Sequence, residues 1–176
     1  MLPPEITARI RKIKLAVFDV DGVLTDGALV YGNDGETIKV FNTLDGHGMK
    51  MLQQSGVALA IISGRGGKAL EQRADNLGIT QLLQHVENKG QTFAKLLQTL
   101  GLEPHQAASI GDDVVDLPIL IRCGFAAAVP AAPAFVRERV HYVTTAAGGH
   151  GAVREFCEVI MAAQGTLDAA LNKYLT

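Results

Sequence analysis

The sequence has no tryptophan, only two cysteines and few aromatic residues, which make up 5% of its 176 residues. Cys123 and Cys157 lack the paired spacing of a zinc site or a disulfide framework, so we expect both to be reduced. Because 48% of the residues are hydrophobic, we expect a core of small aliphatic side chains. A chain of this length predicts a single domain that spans residues 1–176.

The sequence also lacks an excess of positive charge and any long apolar run. Its 16 basic and 18 acidic residues give a net charge of −2, with no basic stripe to follow a nucleic-acid backbone. No apolar stretch approaches the roughly 20 residues that cross a bilayer, and the first residues show no apolar signal-peptide region. We therefore expect a cytoplasmic protein without nucleic-acid or membrane partners.

Short aliphatic runs alternate along the chain with polar turns and helical stretches that end near glycine. The predicted buried strands are 14–18, 57–62, 82–85, 107–110, 125–129 and 141–143. The predicted helices are 44–55, 67–76, 89–100, 117–123 and 152–163. This alternation predicts an α/β fold with a doubly wound parallel sheet, whereas the tail 167–176 is too short for its periodicity to decide between a helix and a mobile end.

One segment interrupts the alternation directly after the first strand. Runs 28–30 and 37–41 flank Asn33-Asp34-Gly35, a strong turn signal that predicts a β-hairpin at about residues 25–42. This hairpin leaves no room for an inserted cap domain, and residues 63–89 have room only for a helix and a strand. The sequence therefore predicts a site that no cap covers.

Chemically reactive side chains follow four of the predicted strands. Because the carboxyl ends of parallel strands meet at one edge of a sheet, we expect these side chains to lie close together. They are Asp19 and Asp21 after the first strand, Ser63-Gly64-Arg65 after the second, Lys89 after the third, and Asp112, Asp113 and Asp116 after the fourth. Carboxylates, an ammonium group and a hydroxyl at one edge are typical of phosphoryl transfer.

A carboxylate that attacks a phosphate dianion needs a cation to offset the charge repulsion. Mg²⁺ prefers oxygen ligands, and we expect Asp19 and Asp112 to bind it. Lys89 and the hydroxyl of Ser63 would stabilise charge on the phosphoryl group. Asp19 would be the nucleophile and form an aspartyl-phosphate, and Asp21 would serve as general acid and base.

The motifs DxDGVxTD at Asp19, SGR at Ser63, NK at Asn88 and GDDxxD at Gly111 resemble those of the haloacid dehalogenase superfamily of phosphatases. Residues 43–48 and 148–155 add a narrower similarity to the phosphatases of 3-deoxy-D-manno-octulosonate 8-phosphate, over residues 12–165. His150 departs from that pattern, which has arginine at this position, and Ser63 replaces the more common threonine.

The resemblance implies further roles. It implies that the backbone carbonyl of Asp21 also contacts the metal, that Asp116 orients Lys89 or the metal shell, and that arginines bind the acidic sugar. The predicted substrate-binding residues are Arg65, Arg73, Asp45 and Gly64. The family compensates for the missing cap by forming a homotetramer whose hairpins pack together, so we expect a homotetramer here.

Several alternatives stay open at this point. Asp45 could instead favour a helix dipole, Asp113 could be a capping residue instead of a neighbour of the metal ligands, and His47 and His150 could simply be exposed. The substrate could be a related sugar acid phosphate. A phosphoacceptor receiver domain uses similar groups, but its phosphoacceptor follows the third strand, whereas here the hydroxyl follows the second and the acids return after the fourth.

Overall fold

The computed structural model describes residues 2–33 and 35–175. Its main sheet is entirely parallel. The six strands of this sheet in the described residues are β1 (Leu15–Phe18), β4 (Ala58–Ile62), β5 (Gln81–Leu83), β6 (Ala107–Gly111), β7 (Phe125–Ala128) and β8 (Tyr142–Val143). β1, β6 and β7 are buried along their whole length, as expected for strands that helices cover on both faces.

The strand order of this sheet is β5-β4-β1-β6-β7-β8. The chain first builds outward on one side of β1 and then returns to its other side, so the order reverses at β1. Ligands of open α/β sheets bind at such a reversal, beyond the carboxyl ends of the strands. This order confirms the predicted doubly wound sheet and differs from that of a receiver domain, in which β1 lies between the second and third strands.

Helices flank the sheet and complete the α/β fold. In the described residues they are α1 (Pro4–Ile10), α2 (Thr43–Gln54), α3 (Lys68–Leu77), α4 (Lys89–Leu100), α5 (Leu117–Leu120), α6 (Ala134–Arg137), α7 (Ala152–Gln164) and α8 (Leu167–Asn172). The core is aliphatic with a few phenylalanines, as its composition predicts; Phe156 packs on Phe18 and Phe125. Cys123 and Cys157 are buried and unpaired in it.

A second, two-stranded sheet lies outside the main one. β2 (Val30–Gly32) and β3 (Gly35–Ile38) pair in antiparallel fashion, with an irregularity between Val30 and Tyr31. The paired residues lie closer to the turn than the predicted runs 28–30 and 37–41. The predicted turn includes Asp34, which lies outside the described residues.

The remaining differences from the predicted elements are local. The helix predicted at 117–123 ends as α5 at Leu120, because the apolar residues after it belong to a turn that leads into β7. α1, α6 and α8 were not predicted, since seven, four and six residues carry little periodicity. No helix in the described part of the chain has the length and apolar character needed to span a bilayer.

Candidate active site at the carboxyl edge of the sheet

The loop after β1 holds Asp19 at the reversal point of the sheet. The N–H of Asp19 donates to the carbonyl of Ile110 at 3.2 Å, so the residue extends the ladder to β6, and only 8% of it is exposed. The buried Oγ1 of Thr25 accepts the N–H groups of Gly22 and Gly27 at 3.3 and 3.2 Å. These bonds satisfy the turning backbone and fix the direction in which the loop leaves the strand.

Lys89 is buried between two carboxylates. Its Nζ lies 2.5 Å from Oδ1 of Asp19 and 2.6 Å from Oδ1 of Asp116. Lys89 is the first residue of α4, which begins where Oδ1 of Asn88 accepts the N–H of Gln91 at 3.0 Å. Burial alone would lower the pKa of Lys89, but the charges of Asp19 and Asp116 outweigh it and raise the pKa, so the ammonium stays charged.

Asp116 links Lys89 to the loop after β6. Its other oxygen, Oδ2, accepts the N–H groups of Asp112 and Asp113 at 3.0 and 3.3 Å. Gly111 makes this fold-back possible, because a Cβ at that position would lie 2.6 Å from the Asp116 side chain. Asp116 therefore fixes both the ammonium of Lys89 and the backbone that carries Asp112.

Carboxylate oxygens of Asp19, Asp112 and Asp116 lie within 4.8 Å of one another. Burial, followed by the charge of Asp116, raises the pKa of Asp19 to about 6. Burial, followed by the charges of Asp19 and Asp116, raises the pKa of Asp112 to about 8. Three acids that repel one another in a protein interior suit a hard cation with oxygen ligands.

Gly22 makes room for the side chain of Asp112. A Cβ at Gly22 would lie 2.1 Å from Oδ2 of Asp112, and its φ of +89° is a backbone angle that favours glycine. The predicted contact of Asp21 with a metal through its backbone carbonyl stays a prediction.

Two basic side chains contact the carboxylate of Asp21. Nζ of Lys39 lies 2.5 Å from Oδ1, and Nε of Arg65 lies 3.8 Å from Oδ2. Arg65 also donates to the hydroxyl of Tyr31 at 3.2 Å. The hairpin thus contributes Tyr31 and Lys39 to the edge of the site, and Lys39 is a residue that the sequence analysis missed.

Ser63 follows β4 and lies at the same edge of the sheet. It is buried, its N–H donates to the carbonyl of Leu83 at 2.9 Å, and its carbonyl accepts the N–H of Val86 at 3.0 Å. Its Oγ accepts the N–H of Arg65 at 3.2 Å, which leaves the hydroxyl hydrogen for another acceptor. Gly64 is exposed beside it, so its predicted substrate contact stays a prediction.

Asp45 has contacts that account for its burial. It is only 1% exposed, and its two oxygens accept the N–H groups of Gly151 and Arg154 at 3.3 and 2.8 Å. Burial raises the pKa of Asp45, although these bonds at the start of α7 oppose the rise. The carboxylate thus connects α2 to α7, and its predicted substrate role stays a prediction.

Arg73 also contacts α2 rather than the acidic cluster. Its guanidinium donates to the carbonyl of Asn42 at 2.8 Å and lies over the ring of Phe41. Gly46 accommodates it, since a Cβ there would lie 2.2 Å from Nη2. Arg73 therefore supports the residues that connect the hairpin to α2, and binding of substrate by Arg73 stays a prediction.

The glycine-rich segment 148–151 packs against the loop that follows β1. Gly149 donates to the carbonyl of Val23 at 2.9 Å, and a Cβ at Gly148 would lie 1.8 Å from the carbonyl oxygen of Gly22. His150 is exposed, and the ring of His47 packs against Tyr174 in the tail. Neither histidine contacts the acidic cluster.

Asp113 behaves as a capping residue. Its side chain is exposed, and Oδ1 accepts the N–H of Val114 at 2.7 Å at the start of a short 3₁₀ turn. Of the two alternatives for Asp113, the geometry favours capping over a place beside the metal ligands.

Comparison with known proteins gives a consistent family. The model of the haloacid dehalogenase-like hydrolases matches residues 32–124, a span that includes Ser63, Lys89 and Asp112. The curated 3-deoxy-D-manno-octulosonate 8-phosphate phosphatase of Escherichia coli K12 is 43% identical over 166 residues, which cover 94% of this chain and 88% of that protein.

Solved structures agree with this assignment. A probable YrbI family phosphatase from Pseudomonas syringae has a TM-score of 0.96 and 53% identity, with 99% of each chain covered. The 3-deoxy-D-manno-octulosonate 8-phosphate phosphatase of Moraxella catarrhalis, solved in complex with a magnesium ion, a phosphate ion and a KDO molecule, has a TM-score of 0.94 and 40% identity, with 97% of this chain and 98% of that chain covered. The chain therefore belongs to the haloacid dehalogenase-like hydrolases and, within them, to the family of the 3-deoxy-D-manno-octulosonate 8-phosphate phosphatases, which are phosphoric monoester hydrolases.

Proposed function

We propose that this protein hydrolyses 3-deoxy-D-manno-octulosonate 8-phosphate to the free sugar acid and phosphate, a step in the synthesis of lipopolysaccharide precursors. The observation that supports this most directly is the buried Lys89, held between Asp19 and Asp116 with Asp112 at the same edge of the sheet. The Moraxella catarrhalis relative binds magnesium, phosphate and the sugar acid, which are the cofactor and products of this reaction.

The proposed cofactor is Mg²⁺. Asp19 and Asp112 would hold it together with the backbone carbonyl of Asp21. Asp116 lies close to both carboxylates and would support them without binding the ion itself. When bound, the ion offsets the negative charge of the phosphate and of the carboxylates around it. Burial, followed by charge repulsion, raises the pKa values of Asp19 and Asp112, and this supports the site because a divalent cation relieves the repulsion.

In the first half-reaction, a carboxylate oxygen of Asp19 attacks phosphorus and the bond from phosphorus to the sugar oxygen breaks. Lys89 and the hydroxyl of Ser63 stabilise the charge that spreads over the phosphoryl oxygens. Asp21 donates its proton to the departing sugar oxygen. The products of this step are the free sugar acid and an aspartyl-phosphate on Asp19.

In the second half-reaction, water hydrolyses the aspartyl-phosphate. Asp21 has lost its proton and now accepts one from the attacking water. The bond between phosphorus and the Asp19 oxygen breaks, which releases phosphate and restores the carboxylate. In the free enzyme the carboxylates of Asp19 and Asp116 stabilise the ammonium form of Lys89, and the carboxylate of Asp116 stays beside it while Asp19 carries the phosphoryl group.

The sugar acid would be recognised at the rim of the site. Arg65 is the best-placed candidate, because its guanidinium is 49% exposed and lies beside Asp21. A guanidinium suits the carboxylate of the substrate, which it can bind through two parallel hydrogen bonds. Gly64 would contribute backbone groups to substrate binding. Arg73 and Asp45 would contribute from the segment where the hairpin leads into α2.

We also propose a homotetramer that works in the cytoplasm. The hairpin exposes Val30, Tyr31, Ile38 and Val40, which is a concentration of apolar surface that contact with another subunit would bury. Such contact would cover a site that has no cap and would exclude water from it.

The proposal is tested by measuring phosphate release from a panel of phosphorylated sugars, with and without Mg²⁺. We expect kcat/KM to be highest for 3-deoxy-D-manno-octulosonate 8-phosphate, and we expect EDTA to abolish turnover. If a related sugar acid phosphate had the highest kcat/KM, that compound would be the substrate instead. Neutral sugar phosphates that match the acidic ones would remove the role assigned to Arg65.

A further inference from the structure

Lys39 has an unusual environment for a lysine on a hairpin. Its side chain is only 5% exposed, whereas Ile38 and Val40 on either side are exposed residues. An isolated hairpin would direct its apolar residues inward and its lysine to solvent. Because lysine is almost never buried without a partner, this inversion indicates that a specific contact holds the ammonium inside.

One such contact is the carboxylate of Asp21. Nζ of Lys39 lies 2.5 Å from Oδ1, so this oxygen is engaged by a charged donor. The carboxylate remains 22% exposed, and Arg65 stands 3.8 Å from its other oxygen, Oδ2. Of the two oxygens, Oδ2 is therefore the one left to exchange a proton with a reacting group.

From this geometry we infer that Lys39 is a positioning residue for the reaction: it fixes the rotation of the Asp21 carboxyl group so that Oδ2 is presented to the leaving oxygen of the phosphate ester. The inference rests on the proposed function, in which Asp21 gives a proton to that oxygen as its bond to phosphorus breaks. In this role Lys39 acts through the carboxyl group of Asp21 and not on the phosphate itself.

The position of Lys39 in the chain explains how the hairpin can affect the reaction. Lys39 directly follows β3, and its contact with Asp21 connects the hairpin to the loop after β1. The connection is made at the carboxyl group that is proposed to transfer the proton. A cavity of about 240 Å³ is lined by Lys39 together with Ile38 and residues 66–70. The hairpin then contributes to chemistry as well as to coverage of the site.

The test uses two esters of similar size that differ in the basicity of the leaving group. Para-nitrophenyl phosphate releases a stable phenolate that needs little protonation, whereas phenyl phosphate releases a more basic one that depends on the general acid. Neither contains a sugar, so contacts with the sugar acid do not affect the comparison. The quantity compared is kcat/KM, which covers the steps up to departure of the leaving group and excludes hydrolysis of the aspartyl-phosphate.

For Lys39→Met, we expect kcat/KM for phenyl phosphate to fall about tenfold more than kcat/KM for para-nitrophenyl phosphate. Lys39→Arg should restore most of this difference, because it keeps a charged donor. Lys95→Met, which removes an exposed lysine from α4, should leave both values unchanged. In an Asp21→Asn background, replacement of Lys39 should produce no further selective loss, because the group that it positions is absent.

Equal losses on the two esters, or no loss, in a folded Lys39→Met protein would overturn the inference alone. Lys39→Leu, which also removes the donor, supplies the same comparison if the methionine variant is insoluble. A wild-type protein that releases phosphate from none of the esters overturns the proposed function, and the inference falls with it.

Discussion

Oδ1 of Asp116 lies 2.6 Å from Nζ of Lys89, and both side chains are buried at the carboxyl edge of the sheet. A buried ammonium is costly unless it is paired, and here the partner also holds the backbone of the loop that carries Asp112. The proposed phosphate-binding cation and the proposed metal ligand are therefore fixed by one carboxylate, that of Asp116.

Asp116→Asn should lower both Mg²⁺ affinity and kcat/KM by about 10- to 100-fold, as is usual when a partner of a metal ligand is lost. The amide cannot accept from Lys89 and from the N–H groups of Asp112 and Asp113 at once. Phosphate release over a Mg²⁺ titration measures both effects. Wild-type Mg²⁺ affinity in this variant would contradict the structural role assigned to Asp116.

Asp19→Asn should abolish turnover while the fold is retained, because the amide keeps the shape of the side chain but is not a nucleophile. Its stability should equal or exceed that of the wild type, since burial and the charge of Asp116 already disfavour the carboxylate form of residue 19. Phosphate release and thermal unfolding measure the two outcomes, and Asp75→Asn, an exposed acid on α3, is the control. Appreciable turnover by a pure Asp19→Asn protein would disprove the nucleophile.

Without metal, Asp19 and Asp112 should contribute less to the free energy of unfolding as the pH rises from about 4 to about 8. Their pKa values are raised from 3.8 to about 6 and about 8, so the folded state keeps protons that the unfolded state has released. Their contribution is complete below the unfolded pKa and is lost as the pH passes the folded one.

This pH dependence can be isolated by comparing wild type with Asp112→Asn in EDTA, by thermal unfolding at a series of pH values. The slope over this range should be less negative in the variant, because one of the two groups has been removed. Saturating Mg²⁺ should reduce the slope in the wild type. Identical slopes for the two proteins in EDTA would contradict the raised pKa of Asp112.

Asp45→Ala should destabilise the protein by about 1–3 kcal/mol, the usual cost of leaving buried donors without a partner. The N–H groups of Gly151 and Arg154 lose their acceptor. Chemical denaturation measures the change, with the exposed Asp168→Ala on α8 as the control. Unchanged stability together with a raised KM for the sugar acid phosphate alone would instead support the predicted substrate role.

Val40→Glu should convert the proposed tetramer to smaller species, because a charge would replace a side chain that is 69% exposed on the apolar hairpin. Light scattering gives the mass of both proteins. Ile121→Glu, at a residue that is 60% exposed beyond α5, controls for the loss of surface apolarity elsewhere. A monomeric wild type with full activity would exclude the tetramer as a requirement.

Much of the site could be predicted because parallel strands place the residues that follow them at one edge. Asp19, Lys89 and Asp112 meet there because each follows a buried strand or begins the next helix. Lys39 was missed because Ile38 and Val40 mark a strand but do not reveal which face the hairpin turns toward the site. That direction depends on contacts with Asp21 and Arg65 that are distant along the chain.

Asp45 and Asp113 show a second limit of sequence patterns. An acid in the first turn of a helix is equally compatible with capping, with the helix dipole and with a ligand contact. Asp45 accepts from the start of a different helix more than 100 residues away, and local spacing contains no information about that partner. Asp113 accepts from the next residue, which is a local pattern that sequence reasoning did consider.

In the described residues, β2 and β3 form a sheet of their own, with no ladder to the strands that precede Asp19, Ser63 and Asp112. The hairpin can accordingly be exchanged as a unit, since grafting residues 28–41 from a relative breaks none of the backbone pairing beneath the catalytic acids. Such chimaeras separate two proposed contributions: the predicted substrate-binding residues stay with the recipient, whereas Lys39 and the apolar surface of the hairpin come with the graft.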